Sequence, residues 1–297
     1  MEMNDQQVQI IMEALPYLSD FKDKTIVVKY GGNAMLNDEL KNKVLKDIVF
    51  LKCAGMRPVV VHGGGPEITR MMAQAGKKSE FVAGLRVTDA ESVGITEMAL
   101  VGKINTDLVG RLNKLGAKAV GLNGKDANLI CAKKHLADVY ENGEVNLVDI
   151  GYVGTVEHIN TELLNVLLDN GFIPVVAPTG VGKQGETYNI NADSVAGEIA
   201  GALQAEKLLV LTDVKGIFSD YRDSNSFIST LSFEKAQELI IRGKIDGGMI
   251  PKVRACITAL SGGAKKAQII DGRAEHSILM EIFSDTGVGT QIVKEIG

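Results

Sequence analysis

The chain has 297 residues, enough at roughly 150 per domain for one large domain or two ordinary ones. Hydrophobic residues make up 45% and charged residues 23%, a mixture that excludes a disordered chain, a collagen-like repeat and a coiled coil. A net charge of -5, from 32 basic and 37 acidic residues, argues against a broad nucleic-acid-binding surface.

In chain order, Val8, Ile11, Leu15 and Leu18 place one apolar stripe on a helix over the first twenty residues, and Pro16 is expected to kink it near its end. Two destinations stay open for that stripe: the chain's own core, or an oligomerisation arm. Strands are expected at 25–30, 58–62, 118–122, 172–177, 207–212 and 267–271, each a short apolar run bounded by glycine or charge. Helical periodicity fills the gaps at 38–54, 66–75, 90–115, 160–170, 193–204, 232–242 and 250–263. Alternation of this kind predicts an α/β sandwich with a largely parallel sheet, apolar on both faces and binding its ligand at the carboxyl edge. Residues 129–156 and 181–191 alternate apolar and polar positions around Glu141-Asn142-Gly143 and Gln184-Gly185, which reads as two hairpins forming a lid or wall. No linker or internal repeat divides the chain.

Cys53, Cys131 and Cys256 are far apart and lack CxxC spacing, so neither a disulfide framework nor a structural zinc site is expected, and a reducing cytoplasm fits best. The opening MEMNDQQVQI lacks the basic and apolar regions of a signal peptide, and no run approaches the ~18 apolar residues of a spanning helix.

Chemistry concentrates after the strands. Lys29-Tyr30-Gly31-Gly32 and His62-Gly63-Gly64-Gly65-Pro66 each end an apolar strand with glycines, where backbone N–H groups can converge on an anion next to a helix N-terminus. Either cluster alone could be a tight turn; a pair on neighbouring strands suggests a phosphate between them. No GxxxxGK[ST] occurs, and the GxGxxG at 180–185 precedes a hairpin pattern instead of a helix, so neither a P-loop nor a dinucleotide fold is expected. Lys29 can reach a phosphate from the sheet edge. Lys252 follows DGGMIP at a helix start, where a cation is unfavourable unless an anion is also present. Asn189, Asn191 and Asp193 alternate before SVAGEIAGAL and would share one face if extended, a ligand-binding pattern beyond simple capping.

The ordered set KYGGNAM, VVVHGGG, GLRVTD, EMALVGKIN, NINADSVAGEIA, LTDVKGI and DGGMIPKV, spread over nearly the whole chain, resembles the N-acetyl-L-glutamate-phosphorylating branch of the amino acid kinase family. The resemblance implies a three-layer αβα sandwich: a kinase domain over 21–297, its first half binding substrate and its second half ATP, behind an oligomerisation helix at 1–20. It also implies transfer of the ATP γ-phosphoryl group to the side-chain carboxylate of N-acetyl-L-glutamate. That carboxylate, with a reference pKa of about 4.3, is already ionised and needs no general base, so catalysis falls to charge and alignment. By the same resemblance Lys29 and Lys252 stabilise the transferred group, Asp193 organises both lysines, and Gly32 and Gly64 donate N–H groups. Arg86 and Asn189 would grip the α-carboxylate, with Gly64 and Gly65 lining the pocket. Asp213, Lys215, Gly216 and Met249 match nucleotide positions, with Mg2+ held mainly by phosphates and water and no protein metal cage.

DGRAEHSILMEIFSDTGVGT and the leading ALPYL resemble the arginine-sensitive members of that branch. This implies feedback inhibition by L-arginine, with Glu281 on the guanidinium, Gly287 supplying backbone contacts and Tyr17 closing the pocket. Gln268 stands where many such members carry histidine. A hexamer of three dimers linked through N-terminal helices is implied, with a nitrogen-signalling protein as a possible further partner; no nucleic acid or membrane is expected. The alternatives are a glutamate, carbamate or UMP kinase on the same scaffold, or an arginine sensor without catalysis.

Overall fold

A computed structural model describes residues 4–35, 37–141, 144–220 and 222–295. The main sheet comprises β1 (Thr25–Tyr30), β2 (Arg57–His62), β3 (Ala119–Leu122), β6 (Ile173–Val176), β9 (Lys207–Thr212), β10 (Thr230–Ser232), β11 (Lys266–Asp271) and β12 (Thr290–Val293), with β4, β5, β7 and β8 forming the unit described below. Its spatial order is β10-β12-β11-β9-β1-β2-β6-β3. All pairs from β11 to β3 are parallel; β12 runs antiparallel to β11 and carries β10 with it. The sequence missed β10 and β12, the two outermost strands at one end of the sheet, which are only three and four residues long.

Side-chain alternation explains the layers. Ile26, Val28 and Tyr30 face one core with α2 (Asp38–Cys53), α5 (Thr106–Lys114) and α10 (Ser277–Ile282). Val27, Val59 and Val61 face the other, with α6 (Glu162–Asp169), α7 (Ala192–Ala202), α8 (Phe233–Ile241) and α9 (Met249–Ser261). Both faces are dry, and each fully buried Val or Ile contributes about 1.5–3 kcal/mol, so helices on both sides are obligatory.

The expected helix at 90–115 is helical throughout but changes pitch: α4 (Ala90–Glu97) widens into π-helical turns over Met98–Asn105 before α5. The two expected hairpins, β4 (Ile130–Glu141) with β5 (Glu144–Ile159) and β7 (Thr179–Val181) with β8 (Thr187–Asn189), close on each other into a four-stranded barrel beside the carboxyl edge. Asn142 and Gly143 of the expected turn lie outside the described residues. Gly180, Gly182 and Gly185 belong to the β7–β8 hairpin, which rules out a phosphate turn for that GxGxxG.

The N-terminal helix α1 (Asp5–Phe21) runs unbroken through Pro16. Docking of its stripe on the chain's own core does not occur: Val8, Ile11 and Leu15 are 46%, 55% and 54% exposed. Its last turns touch the body through Tyr17 and Phe21. No described helix is long and apolar enough to cross a membrane.

Candidate active site

Strands β1 and β2 are parallel neighbours with Tyr30 opposite His62, so the glycines that follow them lie side by side. The Gly63 N–H donates to the Tyr30 carbonyl at 2.8 Å. Gly32 has φ +74°, a left-handed conformation natural to glycine, and a Cβ there would strike the Asp213 carboxylate at 2.9 Å. Gly64 has φ −175°, outside the left-handed region, yet a Cβ would fall 2.5 Å from Ile104 Cδ1 and 2.6 Å from Leu100 Cδ2. Space, not backbone angle, demands glycine at that position. Helix α3 (Gly65–Gln74) starts immediately afterwards and aims its N-terminus at the same place.

Asp193, in the first turn of α7, stands between two ammonium groups. Lys29 Nζ is 2.9 Å from Oδ1 and Lys252 Nζ donates to Oδ2 at 3.1 Å. The two helices meet because α7 and α9 cross backbone to backbone: a Cβ on Gly197 would lie 2.6 Å from the Ala255 carbonyl, and Gly201 abuts Gly262. One turn before that crossing, Asp193 and Lys252 must face each other. Lys29 and Asp193 are 6% and 5% exposed. Burial pulls the Lys29 ammonium below the usual lysine range, with Asp193 opposing. Burial would raise the Asp193 carboxyl, but the Lys29 and Lys252 charges outweigh it and hold it below the ordinary range. The triad carries one net positive charge.

The sequence placed Asn189, Asn191 and Asp193 on one extended face. Instead Asn191 caps α7, its Oδ1 accepting from the N–H groups of Asp193 and Ser194, because the chain turns helical there. Asn189 ends β8, and its amide donates to Thr88 Oγ1 at 3.4 Å. All three still border a 260 Å³ cleft with Lys29, Gly32, Gly64, Gly65 and Arg86.

Arg86 is no surface ion pair. It is 8% exposed, donates to Ser79 Oγ, to Thr69 Oγ1 at 2.7 Å and to the Gly65 carbonyl at 3.1 Å, and stacks over Phe81 at 4.7 Å. Among the described residues no carboxylate pairs with it. Burial lowers its pKa from the usual arginine value. A buried guanidinium with only neutral partners is costly, and a carboxylate ligand would offset that cost.

Asp213 and Lys215 follow β9, and Gly216 comes next at φ +155°, packed 2.7 Å (from its Cβ position) against Thr290 Oγ1. Lys215 lies 5.2 Å over the Phe227 ring. Met249 opens α9. These four therefore lie on the half of the sheet edge that holds Lys252, with Asp213 touching the Gly32 turn.

Tyr17, Gln268, Glu281 and Gly287 are brought together elsewhere, around a 750 Å³ cavity at the amino edge of the same sheet. Glu281, expected on a guanidinium, already has partners within the chain. It is 3% exposed, its Oε1 is 3.0 Å from Lys207 Nζ, and its Oε2 accepts from the Val288 N–H at 2.8 Å. Gly287 has φ +64°, and a Cβ would collide with Glu281 Oε2 at 2.6 Å. The Tyr17 hydroxyl donates to Asp285 at 2.6 Å, which keeps its proton on above the usual phenol range. Gln268 is 4% exposed, and its buried Oε1 lacks a partner among the described residues.

Lys207 and Asp285 escaped the sequence reading, as did Thr69 and Ser79, which hold Arg86. A lysine opening the apolar run LLVLT was the one available signal; the others are ordinary surface residue types.

A parallel sheet whose carboxyl edge gathers glycine N–H groups, the N-termini of α3, α7 and α9 and a net cationic triad is built to hold anions in line, the task of a phosphoryl-transfer enzyme. The chain belongs to the amino acid kinase family, whose model matches residues 24–271. The acetylglutamate kinase of Moorella thermoacetica is 57% identical over 284 residues, covering 96% of each chain. That of Pelotomaculum thermopropionicum is 53% identical over 290 residues, 97% of this chain and 98% of its own. Among solved structures, N-acetylglutamate synthase from Neisseria gonorrhoeae complexed with coenzyme A and N-acetyl-glutamate matches with TM-score 0.80 and 29% identity over 98% of this chain. The same synthase complexed with coenzyme A and L-arginine matches at 0.78 and 28% over 97%. The chain spans 64% and 65% of those two synthase chains. A carbamate kinase from Giardia lamblia bound to AMP-PNP shares the fold, with TM-score 0.67 and 19% identity over 92% of this chain and 99% of its own.

Proposed function

We infer that the chain transfers the γ-phosphoryl group of ATP to the side-chain carboxylate of N-acetyl-L-glutamate, a step of arginine biosynthesis. The observation that carries the reading is the Lys29–Asp193–Lys252 triad beside the paired glycine turns. A carboxylate nucleophile and a triphosphate repel each other; two ammonium groups and the Gly32 and Gly64 N–H groups reduce that repulsion as charge moves to the bridging and leaving oxygens. Asp193 orients the lysines and takes no proton. Arg86 and Asn189 hold the substrate's α-carboxylate, with Gly65 beside them, and the acetyl group leaves no amino cation to oppose Arg86. Asp213, Lys215, Gly216 and Met249 hold the nucleotide. Thus residues before the mid-chain barrel serve mainly the acceptor and those after it mainly ATP. Mg2+ enters with ATP, held by phosphates and water, since Asp193 is already committed to both lysines.

L-arginine binds the amino-edge cavity. Its four lysines (Lys24, Lys207, Lys265, Lys266) and four carboxylates (Asp20, Glu206, Glu281, Asp285) suit a ligand bearing both signs, and the orphaned Gln268 oxygen offers an acceptor to a guanidinium. Glu281 binds the guanidinium only by sharing its carboxylate with Lys207. Tyr17 ties α1 to this cavity, so ligand there biases the arm, a population shift between arrangements of the catalytic cleft. The uncovered stripe of α1 packs on a second copy in an oligomer of linked dimers in a reducing cytoplasm, and a nitrogen-signalling protein is a candidate partner for that assembly.

Trapping the acyl phosphate with hydroxylamine tests the reaction. N-acetylglutamate must give ATP-dependent hydroxamate and unacetylated glutamate far less; equal rates with both would reverse the substrate assignment.

A further inference from the structure

The motif EMALVGKIN gives the site only the apolar side chains of Leu100 and Ile104 beside Gly64, and its last residue lies behind the same turn. In an α-helix, Leu100 and Asn105 would lie about 140° apart around the axis; the π-helical turns of Met98–Asn105 bring residues five apart onto one face. Leu100 and Ile104, four residues apart, pack where Gly64 lacks a side chain. Asn105, 4% exposed, meets the fully buried His62. Asn105 Nδ2 is 3.1 Å from His62 Nε2 and 2.8 Å from the Val175 carbonyl, while His62 Nδ1 is 3.0 Å from the Gly63 carbonyl.

These four groups fix the hydrogens. Carbonyl oxygens only accept, so the Val175 contact identifies the Asn105 NH₂ and the Gly63 contact puts the ring proton on Nδ1. Nε2 is then a bare lone pair facing the second amide hydrogen. Each donor meets an acceptor. Asn105 Oδ1 in turn lies where a Cβ on Gly121 would be, 2.0 Å away, so the neighbouring strand needs glycine for the amide to fit.

The consequence lies in one peptide bond. The Gly63 carbonyl and the Gly64 N–H belong to the same planar trans unit and point in opposite directions. Fixing the carbonyl fixes the N–H. We propose that His62, held by Asn105 as the Nδ1–H tautomer, is the positioning residue that aims the Gly64 N–H at the transferred phosphoryl group. This rests on the reading of Gly64 as a donor in that transfer. Burial lowers the imidazole pKa to about 4, against a weaker opposing bond to Gly63, so the ring stays neutral in the working range and adds no charge of its own. An imidazolium would keep the Nδ1 donor but leave a second N–H facing the Asn105 NH₂.

The test combines ring spectroscopy with kinetics on the full chain. With 4 histidines, ¹⁵N-histidine spectra can be assigned by the loss of one set of signals in His62→Asn. At about pH 7.5 the wild-type His62 ring must show a protonated Nδ1 and a bare Nε2. A protonated Nε2, alone or with Nδ1, overturns the proposal. Asn sets an amide donor near the Nδ1 position and Gln near the Nε2 position, so the two variants separate aiming from mere filling. His62→Gln is expected to lower kcat about 10- to 100-fold with both KM values within about threefold. His62→Asn is expected to stay within about fivefold of wild type. Equal losses in both variants, full kcat in His62→Gln, or a loss confined to KM would each overturn the assignment. An inactive wild type would overturn the reaction itself, and this proposal with it; it is told apart by leaving no rate to lose.

Discussion

Two buried lysine–carboxylate clusters occupy opposite edges of one sheet, and strand β9 runs between them, from Lys207 at its start to Asp213 just past its end. At the carboxyl edge two lysines share Asp193, glycine N–H groups converge and three helices present their N-termini. At the amino edge one lysine faces Glu281, and the surrounding cavity carries equal numbers of lysines and carboxylates. The difference in charge count separates their ligands. A surplus cation among helix N-termini suits two anions that must approach each other; a balanced cavity suits a molecule that brings both signs. Burial is similar in both, so burial alone would not have told them apart.

The largest effect expected from this contrast is in Lys252→Ala, which removes the surplus charge. Turnover should fall by on the order of 10²- to 10³-fold or more, while the thermal midpoint stays close to wild type, because Asp193 retains Lys29. A matching collapse of stability would make Lys252 a structural cation like Lys207.

Arg86→Lys comes next. The point charge survives but the forked guanidinium and its bonds to Thr69 and the Gly65 carbonyl do not. KM for N-acetylglutamate should rise about 10- to 100-fold, with kcat and the KM for ATP changed far less. An unchanged KM would remove Arg86 from the acceptor side.

His62 sharpens the contrast through acid stability. Its folded pKa of about 4 lies below the ordinary value near 6.5, so in that interval the unfolded chain binds a proton that the native one lacks. Stability must therefore rise with pH across that window: the contribution is complete above about pH 6.5 and decays as pH falls toward 4, by about 3 kcal/mol in all. Urea unfolding of wild type and His62→Asn across this range reads the difference; parallel slopes would mean that the ring protonates freely in the native state.

The smallest effect belongs to the amino edge. Tyr17→Phe deletes the exposed bond to Asp285 that ties α1 to the cavity, so the arginine concentration for half inhibition should rise, by no more than a few-fold. Unaltered inhibition would detach the arm from the cavity.

What the sequence disclosed follows from locality. The strands TIVVKY and RPVVVH, the glycines after them and the helix opening at Asp193 are written in contiguous residues, so the sheet and its carboxyl edge were legible, while the grouping of Lys29, Asp193 and Lys252 came from the family resemblance. Pairings across the fold were not. Nothing local to Glu281 announces Lys207, 74 residues away, as its partner, and nothing in GKIN announces that a π-helical stretch turns Asn105 toward His62. The N-terminal stripe was readable as apolar, but periodicity is the same whether a helix docks on its own body or leaves that face for another chain. The alternation at Asn189, Asn191 and Asp193 misled because a strand pattern continued into a helix cap.

The central claim is that the triad acts on phosphoryl charge as it transfers. Calorimetric titration of ADP, magnesium and aluminium fluoride in the presence of N-acetylglutamate tests it most directly, since this planar anion mimics the group in flight. The wild type should bind this combination at least about 100-fold more tightly than ADP with N-acetylglutamate alone, and Lys252→Ala should lose that gain while still binding ADP. Equal tightening in the variant would contradict the account.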